Sequence, residues 1–220
     1  ARSALPDLSS FEVMWQSYLV QAALHANKEL PFEGNYPIYV LLEIEGADKP
    51  VFHEGFHAFL EFLIEHEIGR DVIVPQTLEQ SDTLWQIRDA IGAILRSIKP
   101  YVAFDIGIPL KHMPAFIEQV TAALEKEYPH AMNLLFGHLG DGNLHLTTGK
   151  LHEAPILAVE ELVDSIASRF RGSISAEHGI GRIKKPFLKY SRSQEERDLM
   201  SAIKNLINPQ DLFNAGRIVD

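Results

Sequence analysis

The stretch Asn133-Leu134-Leu135-Phe136-Gly137-His138-Leu139-Gly140-Asp141-Gly142-Asn143-Leu144-His145-Leu146-Thr147 decides the fold. Two short apolar runs, Asn133 to Phe136 and Asn143 to Thr147, flank glycines with Asp141 between them, which is the composition of a tight hairpin between strands. A strand ending at His138 and returning through His145 brings two imidazoles to one side. Asp141, Asn143 and the turn amides are then available to orient the rings.

Working outward, a segment from Leu8 to Met14 precedes a helical stretch reaching about Leu30. A Pro/Gly/Asn-rich connection leads to the strand-like run Ile38 to Ile44. A helix is expected from about Phe52 to His66, a short strand over Asp71 to Val74, and one long helix from Leu78 to Ile98 stopped by Pro100. Ala103 to Leu110 reads as a strand and Met113 to Tyr128 as a helix. Beyond the hairpin come a helix from about Pro155 to Arg171, an irregular segment from Ser173 to Lys185, and a last helix from Gln194 to Ile207 before Asn208-Pro209. These elements predict an α+β plan of ferredoxin-like type, an antiparallel or mixed sheet with helices on one face and a helical C-terminal segment. Residues 8–150 form the α+β region, and residues 151–220 pack with it as one unit.

The chain has 220 residues, 46% of them hydrophobic, and 20 Lys+Arg against 30 Asp+Glu give a formal charge of −10. That balance argues against nucleic-acid binding, which needs a basic footprint. Without cysteine, any metal must sit on nitrogen and oxygen ligands. The apolar runs are short and no leader pattern opens the chain, so the cytoplasm is the expected compartment. The start at Ala1-Arg2-Ser3, without Met, suggests a processed chain or a piece of a longer one.

Ala176-Glu177-His178-Gly179 supplies what the hairpin lacks, because a carboxylate completes a two-His, one-carboxylate set with open positions and leaves His178 as a general base. A rival, His53-Glu54-Gly55-Phe56-His57, matches the His-Glu-x-x-His signature. Pro50 upstream and Gly55 between the histidines speak against it, since the motif belongs inside an established helix. Arg88 shares a helical face with Leu84, Ile91 and Leu95. Its guanidinium needs a partner there, and a substrate carboxylate or a structural salt bridge serves equally. The tail from Asn208 to Ile218 is a helix stop followed by a polar turn and Arg217, which closes the domain or meets a phosphate-bearing cofactor.

Six motifs in order give the chain a resemblance. Leu8 to Met14, Leu84-Trp85-Gln86-Ile87-Arg88, Phe104 to Leu110, the glycine-histidine hairpin, Ala176 to Gly181 and the Asn208 to Ile218 tail together resemble the C-terminal half of the FAD-linked oxidases. That family includes D-2-hydroxyglutarate and D-lactate dehydrogenases. The resemblance implies that His138, His145 and Glu177 bind zinc or a similar divalent ion, that His178 takes the substrate hydroxyl proton, and that Arg88 holds a carboxylate. It also implies substrate contacts at Asn143 and Thr147, cofactor contacts at Asn214 and Arg217, and FAD carried mainly by an N-terminal domain absent from this chain. The electron acceptor stays open.

The chain has Gly92, Ala103 and Thr147 where hydroxyglutarate dehydrogenases resemble one another in Thr, Lys and Asn. That points to a lactate-like or other 2-hydroxy acid. The fragment alone is expected to be inactive, and its face for the missing domain to promote homo-oligomers. Two other classes fit the residues taken singly: a stand-alone zinc hydrolase, and a non-catalytic ferredoxin-like module that binds a ligand or partner.

Overall fold

The computed structural model describes residues 3–46, 50–152 and 156–220, without the side chains of 50–53. It is an α+β chain whose five strands are ordered β2-β1-β4-β5-β3, comprising β1 (Leu8–Trp15), β2 (Ile38–Ile44), β3 (Tyr101–Gly107), β4 (Met132–His138) and β5 (Asn143–Gly149). The described pairings are antiparallel. Two compact units are distinguished, Ala1–Ser97 with Leu135–Asp141, and Ile98–Leu134 with Gly142–Asp220. No described helix is long and apolar enough to cross a membrane.

In the first unit, β1 runs antiparallel to β2 with Trp15 opposite Ile38, and the end of β4 pairs with β1 so that His138 stands opposite Glu12. Helix α1 (Gln16–Ala26) leaves β1 without a loop and buries Tyr18, Leu19, Ala22 and Ala23, the spacing of one helical face. It ends at Asn27, not near Leu30, because Asn27 takes the left-handed conformation (φ 53°) and its N–H caps the last turn. Helix α2 (Pro50–Glu65) contains the His-Glu-x-x-His run from its first turn; the side chain of His53 lies outside the described residues.

Two further expectations fail in this unit. Asp71 to Val74 forms no strand. The helix expected over Leu78 to Ile98 is broken into α3 (Leu78–Arg88) and α4 (Ile91–Ser97). Its cause is tertiary. The Tyr18 hydroxyl donates to the Arg88 carbonyl at 2.5 Å, the acceptor that an unbroken helix would offer to the N–H four residues on.

The second unit is built on β3 and β5, paired in full register from Tyr101↔Gly149 to Gly107↔Asn143. Helix α5 (Met113–Glu127) buries Phe116, Val120 and Leu124, and α6 (Ile156–Arg169) buries Val159, Val163 and Ile166. With Phe104, Ile106, Leu144 and Leu146 they form the core. The strand expected to reach Leu110 stops at Gly107, since the chain turns through a 3-10 segment at Leu110–His112. The helix start expected at Pro155 lies outside the described residues. Helix α7 (Gln194–Ile207) opens with a capping box between Ser193 and Glu196, two first-turn donors satisfied reciprocally.

Candidate metal and substrate site

Within the first unit, the register that sets His138 across from Glu12 creates a buried polar knot. One Glu12 oxygen lies 2.7 Å from His138 Nδ1, and the other accepts from Arg88 Nε at 2.8 Å and Nη2 at 2.6 Å. Arg88 Nη1 donates to Asp89 at 2.9 Å, and Nη2 also lies 3.1–3.2 Å from the His138 ring nitrogens. The guanidinium is thus anchored by a salt bridge, with Nη2 turned to His138. Glu12 is only 6% exposed, so its charge depends on these partners. A carboxylate on Nδ1 fixes the ring orientation, and Arg88 Nη2 stands 3.1 Å from Nε2.

Within the second unit the organiser is Asp105, which is fully buried in β3 opposite His145. Its Oδ2 accepts the backbone N–H groups of both Glu177 and His178 at 2.8 Å, and Ser175 pairs with β3 through an isolated bridge at Asp105. The His178 ring nitrogen Nδ1 lies 3.7 Å from Oδ2, and His145 Nδ1 lies 4.0 Å from Oδ1. The two rings stand nearly parallel, 5.9 Å between centroids. Burial pushes the Asp105 carboxyl up. The backbone N–H groups of His178 and Glu177, with Lys184 nearby, outweigh that and hold it below the usual carboxylate range.

Asn143, His145 and Thr147 alternate along β5 and therefore share one face, with Asn143 and Thr147 almost fully buried. The structure thus gathers His145, Glu177 and His178 about one carboxylate in the second unit, and His138 and Arg88 about another in the first. Asn214 and Arg217 lie apart from these, in an exposed C-terminal turn. That turn is tied to the segment after His178 by Ile218 N–H to the Gly181 carbonyl at 2.8 Å and by Arg182 to the Ala215 carbonyl at 3.2 Å.

Sequence reasoning assigned no role to Glu12 or Asp105, although each breaks an apolar strand run, Phe11-Glu12-Val13 and Phe104-Asp105-Ile106. A carboxylate on a strand otherwise made for burial is the signal that points to them. It names no partner, and both partners are distant in sequence.

Residues 1–218 match the family described as FAD linked oxidases, C-terminal domain. The chain is similar to D-2-hydroxyglutarate dehydrogenase of Stutzerimonas stutzeri strain A1501, 32% identical over 219 residues that cover 96% of this chain and 47% of that protein. It is 34% identical over 220 residues to D-2-hydroxyglutarate dehydrogenase of Xanthomonas citri pv. viticola, covering 97% and 46%. A provisionally named mitochondrial D-lactate dehydrogenase of Schizosaccharomyces pombe is 33% identical over 217 residues, covering 94% and 41%. The chain spans less than half the length of each of these relatives. With a match that runs over nearly all of its residues, it belongs to the FAD-linked oxidases, as their C-terminal domain.

Proposed function

We propose that the protein carrying this chain oxidises a D-2-hydroxy acid to the 2-oxo acid, with FAD held mainly by a domain outside the chain. In this reading His138, His145 and Glu177 share one divalent ion, zinc by the preference of a two-imidazole, one-carboxylate set. The observation that carries the reading is Asp105, which holds the Glu177-His178 turn by two N–H groups beside His145. A further fact supports it: a Glu12 carboxylate oxygen lies 2.7 Å from His138 Nδ1 and orients that ring.

An ion held there supplies Lewis-acid polarisation of a substrate hydroxyl. His178 takes the hydroxyl proton on its outward ring nitrogen, and Asp105, ionised and 3.7 Å from the other nitrogen, stabilises the imidazolium. The flavin, when bound, supplies the two-electron acceptor for the Cα hydride. Arg88, fixed by Glu12, provides positive charge for the substrate carboxylate, while Asn143 and Thr147 offer polar contacts on the His145 face. Asn214 and Arg217 serve the cofactor side. Ala103 stands opposite Thr147 and carries no charge, which favours a lactate-sized monocarboxylate over a diacid whose second charge would go unpaired.

Elemental analysis tests the ligand set. About one zinc per chain is expected, lost in His145→Ala; no divalent metal in either protein refutes it. In the flavin-loaded full-length enzyme, His178→Ala should lower kcat by about a hundredfold to ten-thousandfold with metal content unchanged. Wild-type turnover in that variant would remove His178 from the reaction.

A further inference from the structure

The segment 173–184 bears Glu177 and His178 yet contains no helix or strand, so something other than a hydrogen-bond ladder must hold it. Its start is fixed by isolated bridges from Ser173 to Gly107 and from Ser175 to Asp105, and its middle by the Asp105 carboxylate. Its far end returns to its start, because Lys184 Nζ donates to the Ile174 carbonyl at 2.8 Å and closes the segment into a ring. The lysine is half-buried, and the carboxyl groups of Asp105 on β3 and of Asp164 and Glu160 on α6 lie in the field of its charge. Asp164 is 3% exposed and one of its oxygens has no hydrogen-bond partner. A cavity of about 390 Å³ lies against residues 179–184, so contact with the body of the unit does not by itself hold this part of the segment.

We infer that Lys184 is a positioning residue, a cationic clasp that joins the two ends of the 173–184 segment through its bond to the Ile174 carbonyl, with the α6 carboxyl groups in its field. The clasp keeps Glu177 and His178 presented beside His145. It rests on the proposed ligand and base roles of those two residues only for its functional meaning; the mechanical claim stands on the hydrogen bond and the charges. A cation is needed there. A neutral side chain removes a positive charge near the buried Asp105 carboxylate and leaves the Ile174 carbonyl without its charged donor. In the proposed reaction this residue takes no part in the proton or hydride transfer.

Hydrogen exchange and zinc titration on the full chain test the clasp. In Lys184→Met the amides of Glu177 and His178 should exchange about tenfold faster or more, while α5 and β5 keep their protection. Zinc should bind about 10- to 100-fold more weakly. Lys184→Arg, which retains the cation and its donors, should restore exchange to within about threefold of wild type. Should Lys184→Met not fold, Lys184→Gln is read in the same way. Wild-type protection of Glu177 and His178 without the lysine, or loss of protection in Lys184→Arg equal to that in the Met variant, overturns the clasp. Failure of the wild-type chain to take up zinc overturns the metal reading instead, and the exchange result still decides the clasp.

Discussion

Asn in place of Asp164 gives a sharp test of the buried charges on α6. Burial pushes the Asp164 carboxyl up to about 7, with Lys184 opposing the rise and Glu160 adding to it, whereas its ordinary value is 3.8. The folded value lies above the unfolded one. This group's contribution is therefore fully present below about pH 4 and is lost as pH rises through about 7, because between those limits the native chain keeps a proton that the unfolded chain releases. A gap of roughly three pH units corresponds to about 4 kcal/mol in all. Titration tails leave about 2–3 kcal/mol of it between about pH 5 and about pH 8.

Asn cannot ionise, so Asp164→Asn should gain on the wild type by that amount as pH rises across the interval. Urea titrations of both proteins at several pH values measure it, with the m-value checking that the unfolding transition is unchanged. Parallel stability profiles, differing by less than about 0.5 kcal/mol in slope over the interval, would refute a carboxylic acid kept protonated by burial.

Glu12→Gln keeps the shape but leaves the Arg88 guanidinium with Asp89 alone as a charged partner. A loss of about 3 kcal/mol is expected in denaturant titrations, together with about 10- to 100-fold weaker zinc binding through the released His138 ring. Gly142→Ala places a Cβ at φ +80° and 2.7 Å from the Ile108 carbonyl oxygen, and should cost about 2–3 kcal/mol by thermal or urea unfolding.

Local chemistry written in the chain proved legible where the element is built by its own pattern. The hairpin followed from glycines and Asp between apolar runs, and α5 and α6 from apolar residues one turn apart. The break at Asp89 was invisible because it comes from the hydroxyl of Tyr18, 70 residues away. Among site residues, His145, Glu177 and His178 stood out as chemistry-bearing types near glycines. The carboxylates that orient them did not, since an Asp or Glu within a strand declares its partner only once the register sets Glu12 across from His138 and Asp105 across from His145. Arg88 shows the same gap: its apolar surroundings demanded a counter-charge, and only the fold chose Glu12.

Ile108 sits between two glycines that leave it no slack. Its carbonyl oxygen closes on Gly142 at the base of the histidine hairpin, and its side chain fills the space a Cβ on Gly172 would need, just before the 173–184 segment begins. The turn behind His145 and the launch of the strand-free segment thus share one steric reference. Substitutions will be tolerated more readily at exposed positions such as Arg182 and Ile183 than at this junction, where altering one piece obliges the other to follow. Variation among homologues, or in a laboratory library, should accordingly spare residues 107–108, 142 and 172 together or change them together.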